Sequence, residues 1–229
     1  MRYDDYERRS GLVHLFVPGA SLEAFAAAEV DEQTDARDGA YEILEQTDDT
    51  VRLGRDVAWP KKGGSTIHVE KRLVVVPDRR KPGLSLQVTV ENRSLERTRF
   101  DLGIEWAMTM LGGGGNPDAY YRIEGNVYGH DSSGQRDKLA EIASGNRRVG
   151  LQLATTFEPA ADVWWTPIET ISNSEHGFER VYQGSALVGL WPTDLAPGES
   201  RTVAMSHAAL TRVDRTEQEL AAREGRLPA

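Results

Sequence analysis

The stretch Asp101-Leu102-Gly103-Ile104-Glu105-Trp106-Ala107-Met108-Thr109-Met110 alternates without a break: Leu102, Ile104, Trp106, Met108 and Met110 on one side, polar or small residues on the other. A period of two is the mark of a half-buried β-strand. Leu84, Leu86, Val88 and Val90 alternate in the same way with Ser85, Gln87, Thr89 and Glu91, and Val149, Leu151 and Leu153 repeat the pattern. Further strands are expected at 41–47, 50–58, 66–76, 120–127, 182–191 and 201–213. Turn signals separate them at Pro60 to Gly64, Pro77 to Gly83, Gly112 to Asp118, Gly129 to Gln135 and Pro197-Gly198. Ten or more strands with no recurring helical pattern between them predict an all-β fold, a large antiparallel two-sheet sandwich rather than a βαβ sheet.

Outward from this core, residues 1–39 read differently. Leu12 to Val17 is a short apolar run, Pro18-Gly19 is a turn, and Ser21 is placed to cap a helix through Leu22 to Ala28. This segment is expected to be a connector with a short helix, 40–213 the sandwich, and 214–229 a tail with a frayed helix. The apolar residues Leu12, Val13, Leu15, Phe16 and Phe25 need a cover, either the sandwich or another domain.

The totals narrow the function classes. The 229 residues carry a formal net charge of −9 and no cysteine. A negative field disfavours nucleic acid and anionic membranes as partners. Without cysteine there are no disulfides, thiolate zinc sites or thiol nucleophiles, which suits a reducing, cytoplasmic setting. Charged residues at the start and the lack of a long apolar run predict neither a signal peptide nor a membrane span.

Phosphate, metal and triad motifs fail on inspection. The glycines Gly112 to Gly115 are followed by Asn116-Pro117-Asp118 and not by the Lys-Ser/Thr pair of a phosphate loop. Asp131, Ser133, Gln135 and Asp137 alternate like a calcium loop, but Arg136 and Ile142 stand where an EF-hand needs glycine and glutamate, so a solvated loop is expected. The five histidines form no metal-binding pair. No cofactor or metal is expected.

Chemistry concentrates instead in Trp164 to Gly184, rich in aromatics and carboxylates and too irregular for ordinary strand. Flat aromatic faces beside carboxylates and amides are what a sugar ring requires. Trp165, Glu169, Glu175 and His176, with Asp118, Tyr120 and Tyr121 from the loop after the long strand, are the carbohydrate-binding candidates; Trp164, Asn173, Tyr182 and Gln183 lie among them. Adjacent tryptophans on a strand point to opposite sides, so at least one of Trp164 and Trp165 is expected in the core. Glu169 and Glu175 could form an acid/base pair or simply pin an irregular loop.

Several stretches together resemble the C-terminal β-sandwich of family 57 glycoside hydrolases, the group of 4-α-glucanotransferases and certain α-amylases. They are Arg8 to Phe16, Asp101 to Trp106, Gly114 to Tyr121, and Trp164 to Gly184. The resemblance implies a galactose-mutarotase-like supersandwich that packs beside a catalytic barrel, in cis or in trans, and helps to bind α-1,4-glucan or maltooligosaccharide. In such enzymes the catalytic carboxylates belong to the barrel, so no catalytic residue is assigned here and the chain is expected to be no enzyme on its own. Two alternatives stand beside this reading. One is a free-standing mutarotase-like epimerase using His68 or His176 with Glu175 or Glu105; the other is a purely structural clamp.

Overall fold

The computed structural model describes residues 6–30, 32–60, 64–174 and 177–211. Its elements are β1 (Leu12–Phe16), α1 (Leu22–Ala26), β2 (Glu42–Gln46), β3 (Thr50–Trp59), β4 (Ser65–Val76), β5 (Gly83–Asn92), β6 (Thr98–Met108), β7 (Ala119–Ile123), β8 (Asn126–Gly129), β9 (Gly134–Asn146), β10 (Leu151–Ser174), β11 (Gly177–Leu195) and β12 (Ser200–Thr211). Every ladder is antiparallel, in the order β1-β6-β11-β10-β12-β5-β4-β3-β2, with β9, β7 and β8 branching from β10.

β10 turns this path into a sandwich. Its first part, Leu151 to Glu158, pairs with β12, while Asp162 to Ser174 pairs with β11. One strand therefore serves two layers, β12-β5-β4-β3-β2 and β11-β6-β1, which is how strands form the corners of packed sheets. The main core joins both: Leu86, Val88, Val90, Val203 and Met205 meet Leu102, Ile104, Leu187 and Val163. The alternation read from 84–90 and 101–110 marks the faces that pack here.

The N-terminal segment is built into the sheet. β1 pairs with β6 from Leu12↔Glu105 to Phe16↔Asp101. Val13 and Leu15 enter the main core, whereas Phe16, Leu22 and Phe25 cover Trp164, Val188 and Leu190 on the opposite face of β10 and β11. The helix starts as expected, with Ser21 Oγ accepting from the Ala24 amide at 3.2 Å.

Two expectations require correction. The Asp131–Asp137 stretch is not a solvated loop, because β9 begins at Gly134 and pairs with β10. Its polar sequence hid it, as did Lys138 at φ 53 and the register shifts opposite Ala161. The Trp164–Gly184 stretch is also not irregular chain. Its described residues lie on the paired antiparallel strands β10 and β11, and Pro167 pairs opposite Ser185. The tail from 214 lies outside the described residues.

Candidate functional site

Within the β10–β11 hairpin, Ile168 faces Gly184 but Glu169 faces Tyr182, leaving Gln183 as an extra residue. Such a bulge bends the strand and re-aims its side chains. Beside it lies a groove of about 1090 Å³, lined by Glu7 and Arg8, by Ala26 to Glu29 at and after the helix end, by Ala107 to Thr109, by Thr166 to Ile171, and by Arg180, Gln183 and Gly184. Gly184 lets β11 pass close to β6, since a Cβ there would stand 2.9 Å from the Met108 carbonyl oxygen. Arg180 Nη1 donates to Glu169 Oε2 at 3.3 Å, and Gln183 Nε2 donates to Thr170 Oγ1 at 3.0 Å. Carboxylate, amide, hydroxyl and guanidinium groups thus share one open surface, a set suited to hydroxyl-rich ligands.

Arg8 lines the groove and also reaches a buried ionic cluster. Its Nη1 donates to Glu105 Oε1 at 3.3 Å and its guanidinium lies 4.3 Å from the Phe25 ring centroid. Glu105 accepts as well from Tyr6 Oη at 2.6 Å and meets His14 Nε2 at 2.9 Å. His14 Nδ1 lies 2.8 Å from Glu32 Oε2. Glu105 is 0% exposed and His14 1%. Burial alone would push the His14 imidazole down, but its hydrogen bonds to Glu105 and Glu32 outweigh it and raise its pKa to about 9. Burial would raise the Glu105 carboxyl, yet the hydrogen bond and charge of His14, with Arg8 and Tyr6, hold it below the usual value. The Tyr6 phenol is raised by burial and by the neighbouring Glu105 charge. These groups clamp the N-terminal segment onto β6, and Arg8 links them to the groove.

The candidates read from the sequence are dispersed. Trp165 is 2% exposed, its ring packed by Tyr121 and Tyr128 and its Nε1 donating to Ser132 Oγ at 3.2 Å. Trp164 points to the other face and is also buried, against Phe16 and Phe25. The expectation that at least one tryptophan is core is met by both, because the N-terminal segment covers the face left over. Tyr120 and Tyr121 are each 1% exposed, and Tyr120 Oη donates to Gln152 Oε1 at 3.0 Å. None of these three buried rings offers a face to a sugar. Asp118 is half-buried, its amide donating to Asn116 Oδ1 and its carbonyl accepting from Arg147. Glu169 reaches the groove. Glu175 and His176 lie outside the described residues.

Sequence reasoning missed Glu7, Arg8 and Arg180 as groove residues, and it read Glu105 as part of a polar face or as a base of the epimerase alternative, not as the centre of a buried ionic cluster. The available signal was Glu105 itself, a carboxylate opposite an apolar stripe with the basic pair Arg8-Arg9 upstream. The residues of the epimerase alternative have separate partners: His68 Nδ1 lies 2.6 Å from Asp56 Oδ1, and Glu105 is engaged by His14.

Residues 1–205 match the family model described as "Alpha-amylase/4-alpha-glucanotransferase, C-terminal". The chain is 33% identical over 117 residues to Alpha-amylase 1 of Dictyoglomus thermophilum, an alignment that covers 50% of this chain and 17% of that protein. The crystal structure of 4-alpha-glucanotransferase from Thermococcus litoralis superposes with a TM-score of 0.69 at 19% identity, covering 90% of this chain and 28% of that one. A galactose mutarotase-like protein from Lactobacillus casei superposes with a TM-score of 0.56 at 13% identity, over 88% of this chain and 83% of the other. At these identities the solved structures speak to the fold alone. The chain matches under a third of the length of the amylase and of the glucanotransferase.

Proposed function

The chain belongs to the alpha-amylase/4-alpha-glucanotransferase C-terminal family of family 57 glycoside hydrolases, and from that premise we propose that it is the non-catalytic β-sandwich that supports a catalytic barrel and contributes to α-glucan binding. The barrel is the partner, in cis or in trans, and an α-1,4-glucan or maltooligosaccharide is the ligand. A cysteine-free chain suits work in the cytoplasm.

The observation that carries the sugar-binding part is the groove beside the β10–β11 bulge, where Glu169, Gln183 and Arg180 meet Arg8 on one surface. A neutral glucan has no charge to be repelled by a chain of net charge −9, and its hydroxyls can both donate to Glu169 and accept from Gln183 or Arg180. The candidates read from the sequence join this proposal unequally: Glu169 lies in the groove, while Trp165, Tyr120 and Tyr121 are buried in the fold.

The test is calorimetric titration of the chain with maltoheptaose. Saturable binding with a Kd on the order of 1 mM, weakened in Glu169→Gln and Gln183→Ala, is expected. Absence of any binding at millimolar sugar would remove the groove from the account and leave only the clamp.

A further inference from the structure

The groove beside the β10–β11 bulge has two walls of different origin. One is sheet, made by Thr166 to Ile171 of β10, Gln183 and Gly184 of β11, and Ala107 and Met108 at the end of β6. The other belongs to the N-terminal segment, which supplies Glu7, Arg8 and Ala26 to Glu29. Ala26, Ala27 and Glu29 are exposed and Ala28 is half-buried, so packing of their own side chains does little to fix this wall.

It is held from behind, on both flanks. On the helix side, Arg8 Nη2 donates to the Phe25 carbonyl at 3.3 Å, and the same guanidinium donates to Glu105 Oε1 at 3.3 Å. On the other side, Glu32 accepts from the Leu15 amide at 3.3 Å and meets His14 Nδ1 at 2.8 Å, while His14 Nε2 reaches Glu105 at 2.9 Å. Both lines of contact converge on the Glu105 carboxylate, which is fully buried and does not line the groove.

We propose that Glu105 is a positioning residue for glucan binding. Through Arg8 on one flank and His14 with Glu32 on the other, it sets the Ala26–Glu29 wall against β10 and β11, so docking of the N-terminal segment and closure on a maltooligosaccharide form one coupled equilibrium. This rests on the reading of the groove as an α-glucan site. A ligand that touches both walls binds only the docked segment, and so stabilises docking by mass action. By linkage, a segment that spends less time docked lowers the apparent affinity in proportion. Arg8 belongs to both the groove and the cluster, which is why a change at Glu105 is felt at the wall.

The experiment measures maltoheptaose binding by calorimetry, and amide hydrogen exchange at residues 12–25, on the 229-residue chain and on Glu105→Gln. In the parent, saturating sugar should slow exchange there, although none of these residues lines the groove. Glu105→Gln should weaken binding at least about fivefold, and saturating sugar should restore part of the protection it loses. Gly145→Ala, in β9 and outside the groove lining, lowers stability alone and should keep the parent Kd. If the parent binds no maltoheptaose at millimolar concentration, the groove reading falls and the coupling falls with it. If the parent binds and folded Glu105→Gln binds as tightly, only the positioning role is overturned. Should Glu105→Gln fail to fold, the parent decides: exchange at residues 12–25 unchanged by bound sugar overturns the coupling. An equal loss of affinity in Gly145→Ala would trace the effect to stability and overturn it as well.

Discussion

His14 Nε2 sits 2.9 Å from Glu105 Oε2, and this contact ties the N-terminal strand to β6, which carries the core stripe. Both side chains are buried, and Glu32 holds the other imidazole nitrogen. The pair therefore stabilises only while both groups are charged.

Its pH dependence follows from the signs. The folded His14 pKa, about 9, exceeds the ordinary 6.5, so its stabilisation is complete below about pH 6.5 and is lost as pH rises through 9. The Glu105 pKa is depressed below 4.5, so its share is present above that value and is lost in more acidic solution. Denaturant unfolding should give maximal stability near pH 5 to 6.5 and a decline toward pH 9.5. A profile that rises from pH 6.5 to 9.5 would contradict the pairing.

Replacing Glu105 by Gln keeps the shape but leaves Arg8 and His14 without their buried carboxylate. Removing one partner of a buried pair costs about 3–5 kcal/mol. A lowered urea midpoint is expected, together with faster proteolysis of the segment before β2. A variant as stable as the parent would show that the cluster is not charged.

Trp164 and Trp165 have neighbouring numbers and opposite surroundings. Alanine at either position should cost about 3–5 kcal/mol. Trp164→Ala should in addition loosen the Phe16 and Phe25 cover, seen as faster hydrogen exchange at residues 12–27 than in Trp165→Ala. Equal exchange there in both variants would contradict the separation of the two packing faces.

Gly145 lies opposite Gln152 in the β9–β10 ladder, where an added Cβ would meet the Leu151 carbonyl oxygen at 2.9 Å and Tyr120 Oη at 2.7 Å. Backbone cannot yield as a side-chain tip can. Gly145→Ala should destabilise by about 1–3 kcal/mol, whereas Gly64→Ala, with open space at its Cβ, should change the melting temperature little.

Much of the fold was legible in the sequence because one side of many strands is core and the other is solvent. The stripe at 84–90 is of this kind; at 101–110 the alternation of apolar with polar or small residues survives although the N-terminal segment buries Gly103 and Glu105 on the second side. Legibility failed where that asymmetry disappears. Around Trp164-Trp165 both faces are covered, so no alternation remains, and the bulge at Ile168/Glu169 reverses which side a residue faces. β9 is polar and broken by Lys138 in the left-handed region. For the site, residue chemistry singled out Glu169 and Gln183 as separate candidates, and the pairing of β10 with β11 places both beside one groove. It missed Arg8 because only the pairing of β1 with β6 carries that residue to the groove. Aromatic content misled for Trp165, Tyr120 and Tyr121, which a single sequence cannot distinguish from a binding platform until burial is known.

The most direct test of the central claim is to incubate the chain alone with maltoheptaose and resolve the products by chain length. An unchanged maltoheptaose peak is expected from a sandwich that leaves bond cleavage to a barrel. The appearance of shorter or longer maltooligosaccharides, dependent on this chain, would contradict it.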